Sequence, residues 1–360
     1  MNLVNFYPGP SKLYPQIPQY IQEASHLGIL GANHRSSTFI EISKHSIALL
    51  KEKLSIPEDY WVFYTSSATE CWEIIAQSLI QKNSLHIFNG AFGEKWWNYT
   101  QKLKTQPEKI KKYSFEIEEE LTSAHVKSQY TEEIEMICLT HNETSNATAI
   151  SYDALRQIRQ DFPETLIAVD ATSSLGGVAL EIEQADIWYA SVQKCLGLPA
   201  GMAVMICSPR AIQKALEIGE NQHYNSLVFM IENMKKWQTT HTPNILDIYL
   251  LGKIMEKVSP IRQVSAELNR QATYLYELFS NVKGIEPLIK NNETRSSTVL
   301  AWQGSQIIIQ EIIDKSLNQN IILGKGYGSW KNTTFRVANF PAISAQDIVL
   351  LDEFILKYLI

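Results

Sequence analysis

The sequence predicts an α/β protein: a large domain on a mostly parallel sheet, followed by a smaller C-terminal α+β domain. Between Trp61 and Cys207 short apolar runs alternate with helical stretches, as they do when crossover helices join parallel strands. Runs such as Leu166-Ile167-Ala168-Val169 carry no polar face, so they read as strands covered from both sides. After Ser259-Pro260 the pattern changes to one long helix and a few short strands. The division therefore falls near residue 256. An N-terminal arm and the large domain occupy 1–255, and the small domain 256–360.

Composition narrows the class. A chain of 360 residues, 45% hydrophobic, can bury enough apolar surface for two domains. With 32 basic and 38 acidic residues, neither nucleic acid nor an anionic membrane surface is an expected partner. The first residues lack the charged and apolar regions of a signal peptide, and no apolar run approaches the roughly 18 residues of a membrane span. A cytoplasmic protein is expected. Cys71, Cys138, Cys195 and Cys207 show no metal-ligand spacing, which suggests free buried thiols and no metal.

The elements follow in order. Phe6 to Ser11 is turn chemistry and predicts an extended arm. His34-Arg35 precedes a helix running to about Leu54. A guanidinium fork there can hold an anion, and a helix start capped by Ser37 or Thr38 accounts for the segment equally well. Trp61–Thr65 reads as a strand. Ser66-Ser67-Ala68-Thr69-Glu70 then opens a helix with Ser67 and Glu70 as a capping box, and its free N–H groups suit a phosphate. After the strand His86–Phe88, Phe92 follows Gly90, where an aromatic can lie on a flat ring or simply fill core. The short charged runs Lys109–Lys112 and Glu116–Glu120 read as a solvated edge and loop. Ile134–Thr140 is a further strand, and Tyr152–Gln160 a helix.

The most informative stretch is Thr165 to Cys207. One strand ends on Asp170. The next, Ile187–Ala190, is followed by Ser191-Val192-Gln193-Lys194, with Gly197, Pro199 and Gly201 marking a tight loop before Met202–Cys207. An acid and a lysine thus sit at adjacent strand ends, where open α/β sheets bind ligands. Pyridoxal phosphate needs such a pair. A buried lysine has a lowered pKa and can attack the aldehyde, while a carboxylate keeps the pyridine nitrogen protonated. Taken singly, Asp170 is equally an ordinary cap and Lys194 an ordinary surface residue.

Val169-Asp170-Ala171-Thr172-Ser173-Ser174 with Ser191-Val192-Gln193-Lys194 resembles the cofactor segment of class V aminotransferases, enzymes of PLP-transferase fold type I. The His34-Arg35-Ser36 segment and the Asn142-Glu143-Thr144 turn also resemble that family, and the arm at Phe6–Ser11 and Phe335-Arg336 resemble the phosphoserine aminotransferases within it. The resemblance implies that Lys194 and Asp170 are catalytic. It implies cofactor contacts from Ala68, Thr69, Phe92, Thr144, Gln193, His241 and Thr242, the last reaching across a two-fold interface of a homodimer with shared active sites. His34 and Arg35 would meet the substrate's distal group. Arg336, in Phe335-Arg336, would bind the α-carboxylate. By itself Thr242-Pro243 reads as an N-cap and first turn before a helix near Ile245.

Small-domain strands are expected at Ser297–Trp302, Ile321–Leu323 and Thr334–Val337. Here the chain departs from the resemblance: Tyr327-Gly328-Ser329-Trp330-Lys331 stands where those enzymes carry a Gly-His-Arg phosphate grip. Lys331 is the nearest substitute along the chain. The implied reaction is transamination of phosphoserine with 2-oxoglutarate, in serine biosynthesis. The alternative is an alanine–glyoxylate or serine–pyruvate type acting on a small amino acid. A cysteine desulfurase is disfavoured because no Cys follows Cys207, and a DNA-binding regulator because the chain has no length or basic patch for the module.

Overall fold

The computed structural model describes residues 3–360. The described residues form fourteen strands: β1 Val4–Phe6, β2 Trp61–Thr65, β3 Ser84–Phe88, β4 Ile110–Ser114, β5 Met136–Thr140, β6 Asn142–Glu143, β7 Thr148–Ala149, β8 Leu166–Asp170, β9 Ile187–Ser191, β10 Ala203–Cys207, β11 Ile285–Pro287, β12 Val299–Gly304, β13 Ile321–Lys325 and β14 Thr334–Ala338. The seven-stranded sheet runs β2-β10-β9-β8-β5-β3-β4, with β10 antiparallel to both its neighbours and the other pairings parallel. Strands β3, β5, β8, β9 and β10 are buried at every residue, as expected for strands covered on both faces.

Register places the polar strand ends together. Ala203 pairs with both Thr65 and Ser191, Thr140 with Asp170, and Asp170 with Tyr189. Helix α1 spans Ile17–His26 and α2 Ser37–Leu54; α3 (Ala68–Ser78) and α4 (Ala91–Leu103) start just past β2 and β3. Strand β4 was legible only as a solvated edge. It is the edge strand of the large sheet, with Lys111 and Lys112 exposed, and such charges discourage pairing with another chain.

Local caps differ from expectation by a residue or two. Ser36 caps α2, its Oγ accepting from Phe39 N–H at 3.2 Å, in place of Ser37 or Thr38. Ser67 caps α3, but the Glu70 carboxylate accepts from Ser66 N–H at 2.6 Å, so the box closes one residue early. The helix Ile245–Met255 is capped by Asn244, not Thr242.

The second sheet runs β1-β13-β14-β12-β11. Its first strand comes from the N-terminus: Val4 to Phe6 lie parallel to Ile321 to Leu323. Phe6 is fully buried there, in a core with Trp302, Phe335 and Phe279. The chain then crosses to the large domain. Ser11 N–H donates to Gln193 O at 3.1 Å, and Tyr14 N–H to Gly197 O at 3.2 Å. A Lys12–Asp347 ion pair ties the same segment to the C-terminal helix Ala345–Tyr358.

Phe6→Ala should therefore destabilise the second core by about 3–5 kcal/mol, the usual cost of emptying a buried phenyl site. Urea unfolding followed by tryptophan fluorescence, to which the fully buried Trp302 of this core contributes, measures it. A loss under about 1 kcal/mol would mean that β1 contributes little.

Candidate active site

At the polar strand ends lies a cavity of about 720 Å³, lined by Ala68, Thr69, Phe92, Thr144, Asp170, Gln193 and Lys194 together with Gly9, Lys95 and Lys102. Seven residues singled out in the sequence thus meet in one place. Lys194 is buried, and its Nζ donates to Thr144 Oγ1 and Ser173 Oγ, each at 3.2 Å. Burial lowers its pKa to about 8; the Asp170 charge opposes that shift and Arg336 adds to it. Gly9 makes room for the side chain, because a Cβ on it would stand 2.9 Å from Lys194 Cε.

Asp170 is also buried, with Oδ1 accepting from Thr172 N–H at 2.9 Å. Burial pushes its carboxyl up, while Thr172 and the Lys194 charge draw it back. A buried carboxylate without a paired cation is costly, so the position favours a bound positive charge. The Gln193 Oε1 atom is buried without a hydrogen-bond partner. The first turn of α3 presents Ala68 and Thr69 to the cavity, at the positive end of the helix. Such a donor set fits pyridoxal phosphate: Asp170 for the pyridinium nitrogen, Lys194 for the aldehyde, Phe92 for the ring face, and Ala68, Thr69 and Gln193 for the phosphate.

Arg336 lies beside this group. It is buried, its Nη1 donates to Thr144 O at 2.6 Å, and its Nε to Lys325 O at 2.9 Å. Thr144 therefore touches both cations, through its hydroxyl and through its carbonyl.

His34, Arg35, His241 and Thr242 form a separate group outside the cavity lining. Thr242 Oγ1 lies 3.4 Å from His34 Nδ1, and Arg35 and His241 add to the burial that lowers the His34 pKa. Tyr224 meets the His241 ring edge-on at 5.8 Å and donates to Glu70 Oε1 at 2.7 Å, which links the group to α3. One chain does not bring these four residues to Lys194.

Sequence reasoning missed two parts of the site. Glu143 is buried and holds the start of α4: its carboxylate accepts from Phe92 N–H at 3.0 Å, Gly93 N–H at 3.2 Å and Ser145 Oγ at 2.6 Å. It thereby fixes the backbone from which the Phe92 ring projects. A Cβ at Gly90 would lie 2.3 Å from Glu143 Cγ, and that glycine ahead of a helix without its own cap was the available signal. Ser173 was the other. It stood inside the quoted motif, but nothing local showed that its hydroxyl meets the lysine.

The family model for aminotransferase class V matches residues 3–330. The crystal structure of a phosphoserine aminotransferase from Cytophaga hutchinsonii superposes with a TM-score of 0.93 at 31% identity, covering 99% of both chains. A curated phosphoserine aminotransferase from Rhodococcus opacus is 27% identical over 96% of this chain and 92% of its own length. An aspartate aminotransferase from Thermus thermophilus, 21% identical with a TM-score of 0.80 over 99% of this chain and all of its own, shares the fold.

A lysine whose folded pKa is depressed destabilises the fold while it is charged, so its cost is greatest below about 8 and fades as pH rises towards the unfolded value. In the cofactor-free protein, Lys194→Met should raise stability at pH 7 by roughly 2 to 3 kcal/mol, with most of the gain gone by pH 10. Thermal unfolding at the two pH values checks this. An equal gain at both would assign the effect to packing instead of charge.

Proposed function

The chain belongs to the class V aminotransferase family, and from that premise we propose that it moves an amino group from phosphoserine to 2-oxoglutarate with pyridoxal phosphate as cofactor. The observation that carries the reading is the shared anchor at Thr144, which contacts both a buried lysine and a buried arginine in a site that also holds the buried Asp170. The near full-length similarity to proteins named phosphoserine aminotransferase supports the substrate. In this reading the chain works in the cytoplasm, in serine biosynthesis.

Pyridoxal phosphate, when bound, supplies an electron sink for the carbanion formed at the substrate's Cα. The protein supplies the rest. Arg336 offers two parallel N–H bonds to the α-carboxylate, giving up its bond to Thr144 O as it does so. Lys194 Nζ, near neutrality because it is buried, takes the proton from Cα and later returns it. Thr144 and Ser173 hold the amine in place between the two transfers. Asp170 would hold the ring nitrogen in its protonated form, and Phe92, its backbone braced by Glu143, would offer a flat face to the ring.

The reading includes a homodimer. His34, Arg35, His241 and Thr242 lie outside their own chain's cavity, and a two-fold partner would present them to the neighbour's. The segment just before His34 exposes Leu27 (63%) and Leu30 (50%), apolar surface that a second copy would cover.

Steady-state kinetics with phosphoserine, serine and alanine test the assignment. Phosphoserine should be preferred by less than about 10⁴, because larger discrimination requires a fully matched polar site and the Gly-His-Arg grip is missing. Arg336→Ala should raise KM for every donor alike. No turnover of phosphoserine alongside turnover of alanine or serine would move the assignment to the alanine–glyoxylate or serine–pyruvate type. Light scattering should show a dimer, and a fully active monomer would overturn the shared site.

A further inference from the structure

We propose that Lys95, which lines the cavity that holds Lys194, and Tyr327 beside it form this chain's own part of the clamp for the substrate's distal anion, alongside the His34 and Arg35 that a two-fold partner would bring. This rests on the aminotransferase reading above and names the residues that set its substrate class. The sequence nominated Lys331 for that role. The structure places Lys331 exposed, after the single helical turn Gly328–Trp330, whereas Lys95 lines the cavity itself.

The case begins on α4. Lys95, Asn98, Tyr99 and Lys102 recur at spacings of three and four, so they share one face of the helix, and all four line the cavity. Among the lining residues are three lysines, Lys95, Lys102 and Lys194, against one carboxylate, Asp170. The mouth is therefore built for anions. Lys95 Nζ donates to Tyr327 Oη at 2.6 Å. An oxygen that accepts this bond keeps its own hydrogen free to donate, and the ammonium keeps two further N–H groups. Up to three donors thus remain unused at one contact, enough to hold a phosphate or carboxylate.

The position also fits the other end of the substrate. Tyr327 stacks at a tilt on Phe92, with ring centroids 5.4 Å apart. Lys95 Nζ lies 5.2 Å from the Tyr327 ring and Arg336 Cζ lies 5.8 Å from it. The same ring is flanked by the cation assigned to the α-carboxylate and by a second cation. An amino acid with an anion at each end can span the two, whereas alanine engages Arg336 alone.

The test compares wild type, Lys95→Met, Lys95→Arg and Tyr327→Phe in the cofactor-loaded enzyme. kcat/KM is measured for phosphoserine, glutamate and alanine, and Kd by absorbance for α-methyl-O-phosphoserine, which has no Cα proton to lose. Lys95→Met should lower the phosphoserine-to-alanine ratio of kcat/KM by about 10-fold or more, mainly through KM, and weaken the α-methyl analogue to match. Lys95→Arg should restore most of the ratio, and Tyr327→Phe should lower it by roughly threefold or more. Lys95 is exposed, so these changes leave the fold intact. A ratio within threefold of wild type in Lys95→Met, or an equal loss for alanine, overturns the clamp while leaving the aminotransferase reading in place. If wild type does not turn over phosphoserine, that substrate assignment fails by itself. The glutamate-to-alanine ratio then decides the clamp by the same criterion.

Discussion

Everything in this site follows from placing an ammonium and a carboxylate out of water at the ends of neighbouring strands. Neither charge is comfortable there. Burial draws Lys194 towards the free amine and Asp170 towards the free acid, and each charge partly opposes the shift of the other. The surrounding fold can be read as what makes that placement tolerable. Apolar strands on both flanks supply the dry setting. Thr144, Ser173 and Thr172 supply hydrogen bonds to the two groups, and the resulting imbalance is relieved by a ligand that carries a positive ring nitrogen and an aldehyde.

The same logic explains why the site draws on so many segments. Glu143 braces a helix start 50 and 51 residues away, because Gly90 brings no capping side chain of its own. Arg336 comes from the second sheet yet bonds to Thr144, which follows the end of β5. A loss at any of these supports reaches the reacting groups through one intervening residue. The helix start at Phe92 and the backbone at Thr144 are thus parts of the chemistry, though neither is a charged side chain.

Much of this was legible in the sequence. Strand ends at Asp170 and just before Lys194 were readable because uniformly apolar runs stop abruptly at polar residues and glycines. The strand Trp61–Thr65 has the bounds the pattern implied. Strand β4 was hidden because its lysines obscure any apolar alternation, which is what an exposed edge requires. Cap positions slipped by one or two residues since several hydroxyl and amide side chains compete at each helix start. The role of Lys95 was not readable at all. It depends on which face of α4 meets the cavity and on Tyr327, 232 residues further on, and a one-dimensional pattern carries neither. For the same reason Lys331, nearer in sequence to the missing grip, was the candidate the sequence offered.

The N-terminal segment has a mechanical consequence. It leaves the second sheet at Phe6, passes Gly9 against the Lys194 side chain, and is bonded to the backbone of Gln193 by Ser11. Only four residues separate those anchor points, each link adding at most roughly 3.5 Å, so the strap can lengthen only until it is fully extended. A tilt of the second sheet that carries the anchors beyond that reach would tear β1 from β13 or shift the loop bearing the amine. Large relative motion of the two layers is thereby coupled to the position of the reactive nitrogen.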